Sequence, residues 1–207
     1  LPTIESRPAK NTAAMDLDIR QIKNFDWLVF TSTYGVDAFF NRLVMHHKKD
    51  ARSLGGVKIA CVGPETSLAL KKRGVLCDLE PQRFEALAVA EEFKKRLGSL
   101  SGRKILLPRT DIAPPGLEKE LKKLGGMVSR VTAYRTTLPQ SAPEETKSEL
   151  LNNPPDYITF TSSSTVVHSA KILGLKNLKK FSKKTCLASI GPVTSKALKT
   201  RGLKPGC

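Results

Sequence analysis

The chain has 207 residues, 40% of them hydrophobic, with Lys+Arg 35 against Asp+Glu 19 and a formal net charge of +16. That length buries a real core as one large domain or two small ones, while the longest apolar runs, such as WLVF (27–30) and KIACV (58–62), fall far short of the roughly 18 residues a membrane span needs. The charge points to a polyanionic partner or substrate, yet the lysines are spread over helix faces and aromatics make up only 6%, so neither base stacking nor a nucleic-acid partner is expected.

In chain order, LPTIESRPAK (1–10) lacks the basic-then-apolar pattern of a secretory signal and reads as a strand and a turn. Strand-sized runs then alternate with helical patterns: DWLVFT (26–31), VDAFFNRLV (36–44), KIACVG (58–63), TSLALKKRG (66–74), ALAVAEEFKKRL (86–97), KILLP (104–108) and GLEKELKKLGG (116–126). Such alternation predicts a parallel sheet with helices on both faces, and the continuous apolar strands fit burial on both sides. After VSRVTAYRTTLPQ (128–140) a polar, Pro-bearing stretch intervenes before the pattern restarts with DYITFTSSSTVVHSAKILG (156–174). The cysteines (Cys61, Cys77, Cys186, Cys207) are far apart in sequence with no C-x-x-C pair, and are expected to be small core residues in a reducing compartment. That compartment is taken as the cytoplasm or a reducing organelle such as a plastid.

The restart is a repeat. Asp26 matches Asp156 and Phe30-Thr31-Ser32 matches Phe160-Thr161-Ser162, both at an offset of 130; Gly63-Pro64 matches Gly191-Pro192 at 128. Between 58–74 and the segment 128 residues later, positions 60, 63, 64, 66, 67, 69, 70, 71, 73 and 74 are identical. Two homologous α/β domains follow from this. The second copy stops at GLKPGC where the first continues, so that domain is expected to be incomplete at both chain ends.

The motifs DWLVFTSTYGVDAF, IACVGPETSLALKKRGV, KILLPRTDIAPPGLEKELKKLGGMVSRVTAYRT, DYITFTSSSTV and LASIGPVTSKALKTRGL, in this order and spacing, resemble the uroporphyrinogen-III synthase family of tetrapyrrole biosynthesis. The resemblance implies two flavodoxin-like domains joined by a two-stranded linker, with the active site in the cleft between them. Residues 1–8 are then the outgoing linker strand, 9–128 a complete domain, 129–139 the returning strand and 140–207 a partial second domain. It implies a monomer and a polycarboxylate substrate, the linear tetrapyrrole hydroxymethylbilane. That substrate loses its hydroxyl as water to give an azafulvene, is attacked by the last pyrrole at its substituted carbon, and recloses through a spiro intermediate with that ring inverted.

In an open parallel sheet, ligands sit beyond the carboxyl ends of strands. Four such turns can be named: FTSTYG (30–35), VGPET (62–66), FTSSST (160–165) and IGPVT (190–194). Glycine allows a sharp exit from the strand, proline suits the first helical position, and the threonine hydroxyl with free backbone N–H groups is expected to face outward at the positive end of the helix dipole. Such residues are also ordinary helix starters; four turns together favour carboxylate binding through Thr31, Ser32, Gly63, Pro64, Thr66, Ser162, Ser163, Gly191, Pro192 and Thr194. Arg109 at a strand end is a candidate carboxylate ligand or a surface cap.

No catalytic side-chain set stands out. His46, His47 and His168 read as surface or helix-packing residues, and the pairs Glu91-Glu92 and Glu144-Glu145 as solvated helix faces. G-x-G-x-x-G, Walker A and H-E-x-x-H are absent, so neither a metal nor another cofactor is expected. Positioning is therefore expected to outrank acid catalysis. The resemblance carries one proton donor over, Tyr134 in TAYRT, with packing on a strand as the alternative. The competing functional class is a non-catalytic tetrapyrrole-binding or regulatory module of the same family.

Overall fold

The computed structural model describes residues 1–140 and 143–206; Cys207 and residues 141–142 of the expected second domain lie outside the described residues. The chain divides into two compact units, one of Ser6–Thr136 and one of Leu1–Glu5 with the residues from Thr137 onward. No helix among the described residues is long and apolar enough to cross a membrane.

The Ser6–Thr136 unit runs β1 (Glu5–Pro8, entering from the other unit), α1 (Ala13–Arg20), β2 (Trp27–Phe30), α2 (Thr33–Asn41), β3 (Lys58–Cys61), α3 (Pro64–Lys71), α4 (Ala86–Leu97), β4 (Lys104–Thr110), α5 (Gly116–Lys123) and β5 (Met127–Thr137). The strands form one sheet in the order β1-β5-β4-β2-β3. β2 pairs in parallel with β3 and β4, and β4 pairs in parallel with β5. Side chains alternate along each strand, so Leu28, Phe30, Ile59, Cys61 and Leu106 feed one buried cluster. Trp27, Val29, Ala60, Ile105 and Leu107 feed another. Both faces are buried, as the unbroken apolar runs predicted.

The second unit holds α6 (Glu144–Asn152), β6 (Tyr157–Phe160), α7 (Ser163–Ser169), α8 (Leu175–Phe181), β7 (Cys186–Ser189) and α9 (Pro192–Lys199). β6 and β7 pair in parallel. Phe160, Val166, Leu178, Phe181, Leu187 and Leu198 make its core.

The repeat survives as register. Trp27 faces Lys58 and Phe30 faces Cys61, while Tyr157 faces Cys186 and Phe160 faces Ser189. The Lys58 amide donates to the Asp26 carbonyl at 2.9 Å, and the Cys186 amide to that of Asp156 at 2.7 Å. Beyond α3 and α9 the chain turns at Gly74 and Gly202, with φ of 73° and 67°. This left-handed conformation closes a helix most cheaply at glycine, and Val75 and Leu203 each then donate 3.1 Å back to Leu70 and Leu198. The copies diverge between these anchors, where the first has a short 3-10 turn (Ala51–Leu54) and the second has α8.

The stretch expected to be the returning strand, 129–139, falls mostly within β5. β5 pairs with β4 from Met127 to Tyr134 and sends Val131 and Ala133 into the core. Most of the stretch expected to be returning linker is thus a working strand of the first sheet, because its alternate apolar residues have a face to bury.

Phe30 is fully enclosed and packs edge-on against Phe39 with ring centroids 5.5 Å apart. Phe30→Ala is expected to cost about 3–5 kcal/mol, read as a lowered urea midpoint with an unchanged denaturant slope.

Candidate functional site at the strand carboxyl ends

β2 and β3 are parallel and end at Phe30 and Cys61, so the turns carrying Thr31-Ser32 and Gly63-Pro64 leave the same sheet edge. Ser32 is extended and caps α2, its Oγ accepting the Gly35 N–H at 3.1 Å. The same Oγ lies 3.0 Å from the Tyr134 hydroxyl. Two candidates 102 residues apart are thereby joined. Thr31 sits beside them, half-buried in the same turn. Tyr34 packs near Tyr134, with ring centroids 5.7 Å apart and planes tilted by 34°. Both tyrosines line a cavity of about 380 Å³ that also meets Arg7, Asn41, Arg42 and His46. Burial raises the Tyr134 hydroxyl above its ordinary pKa, against the opposing Ser32 hydrogen bond and the Arg109 charge. The phenol therefore keeps its proton through neutral pH.

Arg109 is not the surface cap the sequence allowed. It is only 6% exposed, and its Nη1 donates to Glu118 Oε2 at 3.0 Å and to the Pro114 carbonyl at 2.9 Å. Arg130 Nη1 lies 3.0 Å from the other Glu118 oxygen. Arg109 Nε is enclosed without a hydrogen-bond partner among the described residues. Burial pulls the Arg109 pKa down while Glu118 supports the charge. The guanidinium belongs to an internal network behind Tyr134. Arg42 is likewise committed, to Asp16, whose Oδ1 also lies 3.0 Å from His47 Nε2. Burial opposes the Asp16 charge, but the hydrogen bonds from Arg42, His47 and Thr12 outweigh it and hold the carboxyl well below the usual range.

The Gly-Pro turns correct one expectation. Thr66 and Thr194 do not face outward: they are 6% and 3% exposed. Each stands four residues before a buried leucine, Leu70 or Leu198, and residues four apart share a helix face, so the threonines lie on the stripe that packs inward. The exposed neighbours are Glu65 and Val193. Gly63 and Gly191 leave their strands fully extended, at φ −178° and −179°. At Gly63 an added Cβ would come 2.9 Å from the ring of the exposed Phe84, which would have to shift. At Gly191 it would meet nothing within 4 Å. Pro64 and Pro192 do take the first helical turn, as expected.

In the second unit, β6 and β7 bring the turns of Ser162 and Gly191 to a common edge. Ser162 caps α7 through a reciprocal box with Thr165, its Oγ accepting the Thr165 N–H at 3.2 Å and its own N–H donating to Thr165 Oγ1 at 3.3 Å. Ser164 Oγ lies 2.8 Å from Ser162 Oγ. The Ser163 hydroxyl donates to the Val193 carbonyl at 3.3 Å and so ties the two turns together. His168, read as a packing residue, is buried with Nδ1 2.8 Å from the Thr3 carbonyl. Sequence reasoning did not single out Tyr34, Phe84 or Glu118. Only Glu118 carried a signal, as an acid in the first turn of α5, and nothing in the spacing tied it to Arg109.

Comparison with known proteins agrees with the ordered motifs. A family model described as "Uroporphyrinogen-III synthase HemD" matches residues 1–207. A uroporphyrinogen-III synthase of Synechococcus elongatus is 30% identical over 199 residues, covering 94% of this chain and 74% of that protein. Among solved structures, a mutant uroporphyrinogen III synthase of Thermus thermophilus aligns with a TM-score of 0.67 at 19% identity, covering 99% of this chain and 79% of that one. The Helicobacter pylori enzyme aligns at 0.65 and 17%, covering 98% and 82%. At those identities the structures speak for the fold alone, a mixed α/β architecture dominated by parallel strands.

Tyr134 is expected to titrate above the ordinary tyrosine value of about 10, seen as the phenolate absorbance step lost in Tyr134→Phe. Ser32→Ala is expected to shift that step further upward, because the hydrogen bond it removes favours the phenolate, and to cost about 1 kcal/mol as a lost helix cap.

Proposed function

The chain belongs to the uroporphyrinogen-III synthase family, and we infer that it converts hydroxymethylbilane into uroporphyrinogen III, closing the macrocycle with inversion of the last pyrrole ring and loss of water. The family match over residues 1–207 carries this reading. Each unit is read as a flavodoxin-like domain, the chain crossing between them on two strands. For the Ser6–Thr136 unit the strand order β3-β2-β4-β5 supports this, since it has the 2-1-3-4 succession of that fold.

Chemically, the hydroxymethyl C–O bond breaks and its oxygen leaves as water after gaining a proton. The carbon left behind is the azafulvene electrophile. The last pyrrole attacks it through the carbon that already bears its link to the chain, and the spiro intermediate opens and recloses at the other side. One ring proton is then lost, which balances the proton given to the departing water. Tyr134 is the proposed donor of that first proton. The Ser32 oxygen already accepts the Gly35 N–H, which leaves the Ser32 O–H free to point at the Tyr134 oxygen 3.0 Å away. It would stabilise the phenolate until the ring proton returns.

Carboxylates of the substrate are proposed to take hydrogen bonds from the strand-end turns: Thr31, Ser32 and the Gly63 and Thr66 amides in one unit, Ser162, Ser163 and the Gly191 and Thr194 amides in the other, with Pro64 and Pro192, which have no N–H to give, shaping the turns. Arg109 serves as a positioning residue for this edge, its charge set behind Tyr134. The enzyme is read as a monomer acting on a small polyanion, with no nucleic acid involved.

Incubation with hydroxymethylbilane and chromatographic separation of the isomers is expected to give isomer III; isomer I alone, the product formed without an enzyme, would sink the assignment. Tyr134→Phe is expected to lower kcat by roughly 10–100-fold, at or below the lower end of the range for a positioned general acid. The double change Thr66→Val with Thr194→Val keeps the backbone amides proposed to hold the carboxylates and removes only inward hydroxyls, so KM and the isomer ratio are expected to stay nearly unchanged; a KM raised about 2- to 10-fold, the scale of a neutral hydrogen bond, would put the hydroxyls themselves in the grip.

A further inference from the structure

Two of the cysteines expected to be small core residues meet in the first unit. The sulfur of Cys61, the last residue of β3, lies 2.9 Å from the sulfur of Cys77, although all of α3 separates them in sequence. The approach is built by the backbone. After the Gly74 turn the chain returns beside β3: the Asp78 and Leu79 amides both donate to the Ile59 carbonyl, at 2.8 and 3.2 Å, and the Cys61 amide donates to Leu79 at 3.0 Å. The Ile59 amide also donates to Asp78 Oδ2 at 2.7 Å. Cys61 is fully enclosed, whereas Cys77 is only half-buried.

We propose that Cys61 and Cys77 form a reversible dithiol–disulfide couple, a modification site addressed by a small oxidised disulfide of the glutathione class. Cys77, the less buried of the two residues, attacks one sulfur of the oxidant as its thiolate. A mixed disulfide forms and one small thiolate leaves with the bonding electrons, taking up a proton. Cys61 then gives up its proton and attacks Cys77 Sγ, the Cys61–Cys77 bond forms, and the second small thiol departs. The protein loses two protons and two electrons, and the oxidant takes up both to become two thiols. The final bond needs the sulfurs to close from 2.9 Å to about 2.05 Å, a movement of under about 1 Å.

The division of labour fits the local chemistry. The shared hydrogen bond, and then burial, push the Cys61 thiol up. The same hydrogen bond, chief among the causes, holds the Cys77 thiol below its ordinary value, which is what an attacking thiol requires. The pairing is independent of the proposed catalytic proton transfer. It would nevertheless tie the end of β3 to the strand-like segment after α3, and so enclose the Gly63-Pro64 turn in a covalent loop.

The test uses the full chain in buffers of oxidised and reduced glutathione, quenched in acid, alkylated, digested and analysed by mass spectrometry. The expected product is a Cys61–Cys77 linked peptide two hydrogens lighter than the paired thiols, reversed by dithiothreitol, with a higher unfolding temperature in the oxidised protein. In native protein, phenylarsine oxide should be retained at one equivalent, and Cys77→Ser should abolish both results without changing the circular dichroism. Glutathione persisting on Cys77, alkylation of both cysteines under oxidising buffer, or arsenical retention surviving in Cys77→Ser would each overturn the proposal.

Discussion

Burial of the parallel sheet on both faces governs everything else in the Ser6–Thr136 unit. Four neighbouring strands send alternate side chains into two separate cores, so neither face is left to meet a ligand. Chemistry is pushed to the carboxyl edge, where strands stop and helices start. The residues available there are those that also begin helices, and they must serve local structure first. Ser32 does both, since its oxygen satisfies the Gly35 amide and still lies 3.0 Å from the Tyr134 hydroxyl. Ser162 is more fully engaged, held in a capping box and bridged to Ser164.

Much of this was legible in the sequence, and for a physical reason. The unbroken apolar runs require two-sided burial, and the repeat keeps its register because matched strands begin from matched hydrogen bonds at Asp26 and Asp156. What failed concerned direction and partnership. A Gly-Pro-x-Thr turn announces a helix start, but which side of that helix faces the sheet depends on Leu70 and Leu198, and these turn the threonines inward. Arg109 looked like a strand-end cation because nothing in the spacing reveals that Glu118 waits on the next helix. The Cys61–Cys77 contact was hidden for the same reason: it exists only because the Gly74 turn folds the chain back along β3. The ordered motifs identified the family, whereas side-chain partners required coordinates.

The charge distribution sharpens how a polycarboxylate is handled. In a parallel α/β unit the helices run back against the strands, so their N-termini reach the carboxyl edge and their C-termini the opposite one. The last helical turns hold Lys71, Lys94, Lys95, Arg96, Lys122 and Lys123 in the first unit, and Lys179, Lys180, Lys196 and Lys199 in the second. There they complement the negative end of the helix dipole. Lys58 and Lys104 begin strands, again at the amino edge. Much of the +16 net charge therefore lies away from the candidate site, while Glu65 opens α3 at the site edge itself. The net charge can draw a polyanion in from a distance, within the reach that salt screening allows, while the proposed local grip is by amides and hydroxyls. Fixed ion pairs would hold a substrate and its equally charged product alike. Neutral donors set in rigid turns select instead by position, which is the property a ring closure needs when the same chain can close at the wrong carbon.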